Sequence, residues 1–432
     1  MSARRIDLAY GKGCVSIDIP EENLGKVLRC RPWPPLLNLH TAIEDSLAHP
    51  IGAPPLAELA RGRRDAVVVI SDITRPAPNH LFLPPILRIL EAAGIPREKT
   101  LILIATGMHR PNLGKELAEL VGDEIASGYR IENHAGTDID SHANLGVSED
   151  GIPIQVDRRY IAADLKIVTG LIEPHLIAGY SGGRKGVLPG LCSLETMKVM
   201  HGYRMIQHPH AEVGRLDGNP FHLACLGIVR RIGVDFLLNV TLNEDRQVSG
   251  VYAGDLDLAH RAGVADLEHY VVDFVDEPVD IVVTCGGGYP LDQTLYQAIK
   301  GTVAAREILK PGGSIVFAAS LAEGVGSPSF QQLLAQMTTA EEMLGRLEKV
   351  DYLQLDQWML QDHCNVLLQA RDVLLYSEHL SREWMDRSLV HPVSSMNEGL
   401  ARAFTSQGNS ARVAVLPQGP YVIAKAAEHV GV

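Results

Sequence analysis

Two of the 17 histidines stand apart by position. His109 lies in TGMHRP and His175 in TGLIEPH, each a short way beyond a run of β-branched residues, so both follow the order strand, Thr-Gly, loop, histidine. A neutral imidazole, with an ordinary pKa of about 6.5, can take or give a proton near neutral pH. Their like placement makes each a candidate general base. His201, in the MHG that closes a helical segment, is a candidate metal ligand.

Around these lie groups suited to anions and to covalent chemistry. The stretch AGYSGGRKG (178–186) carries Gly182 and Gly183, whose backbone N–H groups could face an anion, with Arg184 or Lys185 supplying charge. Its glycines lack the GxxxxGK[ST] spacing of a phosphate loop, so a plain tight turn with a solvated lysine remains open. Cationic neighbours can also keep such a lysine neutral, and only the neutral amine forms covalent bonds. SDITRP sets Asp72 and Arg75 directly after a strand, and arginine suits two-point recognition of carboxylate or phosphate. In GGGYPLDQTLYQAIKG, Gln293, Tyr296, Gln297 and Lys300 recur at helical spacing, a polar stripe expected to face substrate, with Tyr289 and Asp292 on the loop before it. By pattern alone Trp358 reads as a core residue.

These groups need a scaffold, and the sequence repeats one. Apolar runs at 66–71, 101–106, 165–169, 280–285, 314–320 and 413–416 alternate with helical segments at 81–93, 114–121, 194–201, 256–269, 291–299 and 340–348. Ser193 is the expected N-cap of the third helix, and 141–159 reads as turns with an antiparallel excursion. Continuous apolar strands separated by helices imply an α/β protein with mostly parallel sheets flanked by helices, which bind ligands beyond the carboxyl ends of their strands. The pattern restarts at Asp280 after VVDFVDEPVD. The expectation is therefore two domains, residues 1–272 and 273–432, with the active site in the cleft between them and the final strand able to pack back on the first.

A chain of 432 residues supports two such domains. Its formal charge of -13 argues against nucleic acid or an anionic membrane as partner, and means that an anionic ligand must be held by a small local set of cations. Six dispersed cysteines without a CxxC pair fit a reduced, cytoplasmic setting, and neither an export signal nor a membrane-spanning apolar window is found.

Taken together, SDITRP, TGMHRP, GLIEPHLIAGYSGGRKGVLPG, the MHG at Met200 to Gly202 and GGYPLDQTLYQAIKG resemble the lactate racemase family, in order along residues 65–420. The resemblance implies racemisation or epimerisation of a small 2-hydroxy acid, lactate or a related 2-hydroxycarboxylate. It also implies a nickel-pincer nucleotide, a pyridinium mononucleotide with two sulfur-containing arms in which sulfur, carbon, sulfur and one histidine hold nickel. On this likeness Lys185 is the covalent attachment point, His201 the nickel ligand, and His109 and His175 the paired acid/base groups. Asp72, Arg75, Gly182, Gly183 and Arg184 are expected on the cofactor side. Arg75, Tyr296, Gln297, Lys300 and Trp358 are expected on the substrate side. Dedicated maturation enzymes are implied as partners.

Chemistry supports that set. Removing the Cα proton would place a carbanion beside a carboxylate, whereas hydride removal with loss of the hydroxyl proton gives a planar 2-keto acid that can be reduced from either face. A square-planar nickel with three donors from the cofactor has room for one imidazole. Two other readings of the same residues stay open: a zinc hydrolase using His109, His175 and His201, and a non-enzymatic nucleotide- or metal-binding protein.

Overall fold

The computed structural model describes residues 2–349 and 354–427. The chain divides into two compact units, one of Pro32–Met200 with Pro209–Tyr270, the other of Met1–Arg31, His201–His208 and Val271–Val432. A linear division at 272/273 meets one of these crossings and departs from them at 1–31 and 201–208. Strand pairing explains the first departure, since Leu24–Val27 runs parallel to Val413–Leu416. The second follows from packing of Tyr203–Ile206 on the helices Ala340–Glu348 and Gln357–Gln369. The final strand, Ile423–Ala426, pairs with Val272–Val275 inside the same unit.

The unit containing residues 32–200 is built on a six-stranded sheet. Its order is Val248–Gly254, Phe236–Leu242, Leu165–Leu171, Ala66–Ser71, Thr100–Ala105, Arg130–Asn133. All pairs are parallel except the hairpin formed by the first two. The central strands are unbroken β-branched runs because helices cover both faces, and Val68, Ile70, Ile102, Ile104, Ile167 and Leu238 form part of one buried core. Register then decides where the loops emerge. Ser71 lies opposite Ala105, and Val69 opposite Val168, so the chain leaves these three strands at one end of the sheet. Segment 141–159 is the expected excursion, His142–Val147 antiparallel to Pro153–Asp157. The Ser193 hydroxyl accepts from Thr196 N–H at 3.3 Å, at the start of helix Leu194–Met200.

The other unit has an all-parallel sheet in the order His391–Pro392, Asp372–Tyr376, Leu309–Ala318, Val279–Cys285, Val413–Leu416, Leu24–Val27. The N-terminal hairpin, Ala3–Tyr10 with Gly13–Pro20, packs Ile6, Leu8, Ile17 and Ile19 into the core of this unit, as a two-residue period allows. Its turn also reaches the Gly-rich loop. The fully buried Asp292 accepts from Gly11 N–H at 2.7 Å and Ser320 N–H at 3.1 Å, and Tyr289 N–H donates to Gly11 O at 2.7 Å. A Cβ on Gly288 would come within 3.1 Å of Ala9 Cβ, so this glycine serves close packing of the chain on itself.

The helix expected over 291–299 is two elements. Leu291–Gln293 is a single turn, after which Thr294 caps the helix Leu295–Arg306. Gln293 therefore leaves the stripe, which contracts to Tyr296, Gln297 and Lys300. Among the described residues no helix is long and apolar enough to cross a membrane.

Candidate active site

In the first unit the loops beginning at residues 72, 106 and 172 bring candidate groups to one end of the sheet. Asp72, the residue after Ala66–Ser71, has a buried carboxylate that accepts from Thr74 N–H at 3.0 Å and Thr74 Oγ1 at 2.5 Å, and lies 2.7 Å from His109 Nδ1. Burial works to raise its pKa, but the contacts with His109 and Thr74 outweigh this and hold the carboxyl below its ordinary range. The His109 side chain is 53% exposed against 4% for Asp72. A carboxylate at Nδ1 favours the proton there, leaving the Nε2 lone pair to face outward as a base. Asp72, expected on the cofactor side, is thus in direct contact with the candidate histidine His109.

His175 is held differently. It sits in the small hairpin Pro174–His175 with Gly179–Tyr180, and its Nδ1 accepts from Ile177 N–H at 3.3 Å and Ala178 N–H at 3.2 Å. Arg75, on the loop after Ala66–Ser71, donates from its NH1 nitrogen to Glu173 Oε1 at 3.0 Å. Glu173 is a site residue that the sequence reading passed over. The available signal was an acidic side chain two positions before a candidate histidine.

Lys185 lies in the single turn Gly183–Gly186. Its side chain is partly exposed, yet protein atoms surround the amine, and burial, Arg75 and Arg184 together hold it well below the ordinary lysine range against the opposing pull of Cys225 and Glu173. The Phe221 ring, 5.5 Å away, favours the ammonium form. That contribution, about 0.5–2 kcal/mol, is smaller than the cost of burying a charge without a paired carboxylate. The amine is consequently biased to the neutral, nucleophilic state.

The expectation that Gly182, Gly183 and Arg184 present donors to an anion meets another arrangement. Gly183 N–H is already given to Asn239 Oδ1 at 2.7 Å, and a Cβ there would come within 2.8 Å of the His260 ring. Gly182 has φ +74, and a Cβ on it would lie 2.7 Å from Asn239 Oδ1. The Arg184 side chain is fully buried, donating to Ala178 O at 2.7 Å and lying 3.3 Å from His260 Nε2. These three residues wedge the turn against the sheet and present Lys185.

The second unit holds the other candidates. His201 is 8% exposed, and its ring centroid is 5.3 Å from that of Trp358. The Trp358 indole N–H donates to Tyr296 OH at 2.7 Å. Trp358 is thus half-buried beside His201, not a plain core residue. Tyr296, Gln297 and Lys300 share the half-buried side of their helix, while Leu295, Ala298 and Ile299 face the core. The Gln297 side-chain oxygen is buried with no hydrogen-bond partner among the described residues, a polar atom left for a ligand to satisfy. No group of three His, Cys, Asp or Glu side chains that could hold a metal ion occurs among the described residues, so the three-ligand set of a zinc hydrolase is missing there.

Fold and site together define an α/β protein of two units, with imidazole, guanidinium and an amine biased toward its neutral form at the carboxyl edge of a mostly parallel sheet. Comparison with known proteins gives this class a family. Residues 10–214 match the family model described as lactate racemase N-terminal domain, and residues 275–424 match lactate racemase C-terminal domain. A lactate racemase of Lactiplantibacillus plantarum is 35% identical over 431 residues, covering 97% of this chain and 99% of that protein. A lactate racemase of Thermoanaerobacterium thermosaccharolyticum is 29% identical over 424 residues, with 97% and 99% covered. The solved structure of the lactate racemase apoprotein from Thermoanaerobacterium thermosaccharolyticum superposes with a TM-score of 0.91 at 28% identity, covering 98% of this chain and 100% of the other. A Thermotoga maritima protein structure, at 18% identity, TM-score 0.66, and coverage of 92% and 100%, shares the fold. The chain belongs to the lactate racemase family.

Proposed function

We propose that this chain is a racemase or epimerase that inverts the Cα stereocentre of lactate or a related small 2-hydroxycarboxylate by reversible hydride transfer through a 2-keto acid. The observation that supports it most is the convergence of His109, His175, Arg75 and the neutral-biased Lys185 at one end of a single, mostly parallel sheet. The residues also fit a nickel-pincer nucleotide. An amine biased toward its neutral form at Lys185 suits covalent attachment, and a buried imidazole, His201, suits a metal whose other donors belong to the cofactor. When bound, that group supplies an electron-poor carbon that takes and returns the Cα hydride.

The chain's own residues do the rest. Arg75 and Lys300 hold the substrate carboxylate and offset the negative background of the protein, and Gln297 and Tyr296 border the same substrate. His109 Nε2 takes the hydroxyl proton from one enantiomer, with Asp72 stabilising the imidazolium. His175 exchanges the proton when the 2-keto acid presents its other face. Trp358 packs beside His201 and fixes its ring. We place the reaction in the cytoplasm, where maturation enzymes would build the cofactor and load it.

The test is the chain co-produced with such enzymes. Intact mass should show an adduct that maps to Lys185 and is lost in Lys185→Ala, with about one nickel per loaded chain, and the loaded protein should interconvert the enantiomers of a 2-hydroxy acid. Stoichiometric zinc with an unmodified Lys185 would support the hydrolase instead. Loading without turnover on a panel of 2-hydroxy acids would leave a binding protein.

A further inference from the structure

We infer that Glu173 is a positioning residue for Arg75: its carboxylate ties the guanidinium to the hairpin that carries His175, so the substrate anchor and one acid/base group are set as a single body. The inference rests on the proposed function for the identity of the anchored carboxylate. Its structural part stands by itself.

Glu173 is fixed before its side chain is considered. Its N–H donates to Ser181 Oγ at 2.9 Å, its C=O accepts from Ser181 N–H at 2.9 Å, and the Ser181 hydroxyl donates to Leu171 O at 2.7 Å. The next two residues, Pro174 and His175, pair with Tyr180 and Gly179. The Cα of Glu173 is thus clamped between the end of a central strand and the hairpin. From there Oε1 reaches Arg75 on a different loop, at 3.0 Å from a single terminal nitrogen. A guanidinium carries five N–H donors, so one contact leaves a two-donor edge for a ligand carboxylate.

The pair is a poor candidate for a stabilising device. Its side chains are 41% and 34% exposed, and an ion pair in that setting contributes little to folding stability. What it supplies is order. Arginine has many rotamers, and a guanidinium held in place before substrate arrives loses less freedom on binding. A glutamine at 173 would retain an oxygen acceptor for Arg75, whereas an alanine would release it.

Two measurements on the full chain test this. In unloaded protein labelled with [15N]arginine, relaxation of the Arg75 Nε–H bond, assigned with Arg75→Lys, should show an ordered side chain in the wild type and in Glu173→Gln, and a mobile one in Glu173→Ala. In loaded enzyme Glu173→Ala should raise KM for the 2-hydroxy acid by about tenfold with kcat within about twofold, and Glu173→Gln should recover most of the loss. Unchanged Arg75 order in Glu173→Ala would overturn the inference. So would an equal fall of KM in both variants, because Glu173 would then be a competing charge and not a support. Absence of turnover in loaded wild type would instead count against the proposed function, and the relaxation measurement would still decide the role of Glu173.

Discussion

His109 follows the strand that ends at Ala105 and His175 follows the strand that ends at Leu171, on the other side of Ala66–Ser71, four residues later in each case, yet the two rings meet opposite partners at Nδ1. His109 faces the carboxylate of Asp72 at 2.7 Å. His175 faces two backbone N–H donors. An acceptor at Nδ1 draws the ring proton there and leaves Nε2 as a base, whereas donors at Nδ1 claim its lone pair and put the proton of the neutral ring on Nε2. The Thr-Gly pairs differ as well. Gly107 has φ +55 and its N–H donates to Gly190 O at 3.0 Å, so it makes a turn, while Gly170 lies inside its strand with Asn239 against it. The difference teaches that two bases serving two enantiomers need not be equivalent at rest. Because enantiomers have equal free energy, kcat/KM must be the same in both directions, and the asymmetry can appear only as kcat and KM changing together.

The largest expected effect comes from removing either ring. His109→Gln and His175→Gln should each lower racemisation by about 10²–10⁴-fold while leaving Lys185 loaded. Each variant should still yield trappable 2-keto acid from one enantiomer, and the two should differ in which enantiomer that is. Retained racemisation in either variant would make that histidine a bystander. Asp72→Asn should have the next largest effect, lowering kcat by on the order of 10²-fold with little change in Lys185 loading. An amide can turn its NH2 toward Nδ1, which would put the His109 proton on Nε2 and make the two loops alike.

That tautomer change can be read without turnover. In unloaded protein, 15N shifts of labelled histidine rings should report Nδ1–H for His109 and Nε2–H for His175 in the wild type. Asp72→Asn should convert the first signal and leave the second unaltered. Identical tautomers in the wild type would remove the proposed asymmetry.

The contrast also marks where sequence stops being informative. The parallel sheets were legible because buried strands such as AVVVIS and LILIA carry no polar face, and the site loops because such strands release their loops at one end. The histidines were legible from those loops. Their Nδ1 partners were not, because Asp72 is separated from His109 by 37 residues and backbone N–H groups have no residue-type signature. Asp292 looked like part of a substrate loop, but it receives the turn of the N-terminal hairpin, a pairing across 281 residues between Asp292 and Gly11. Arg184 and Gly183 looked like anion donors, and the long-range partners that occupy them, His260 and Asn239, belong to later elements. Trp358 read as a core residue by pattern because its contacts, Tyr296 and His201, come from distant segments of the chain.

The smallest predicted effect is on stability in acid, and it separates the two loops once more. The Asp72 carboxyl sits below its ordinary range in the folded chain because contacts with His109 and Thr74 outweigh burial. A depressed folded-state pKa means that the unfolded chain binds the proton more readily, so the carboxylate's contribution is complete above the unfolded value of about 3.9 and declines as pH falls through the folded one. Unfolding curves followed with urea from pH 6 to pH 3 should therefore show the wild type losing more stability in acid than Asp72→Asn. His109→Gln should narrow the difference, because it removes one of the contacts that holds the carboxylate ionised. His175→Gln should leave it as in the wild type, since the contacts that hold the Asp72 carboxyl low come from His109 and Thr74. Equal acid sensitivity in wild type, Asp72→Asn and His109→Gln would show that the Asp72–His109 contact does not hold in solution, and the difference between the two histidines would then have to come from His175 alone.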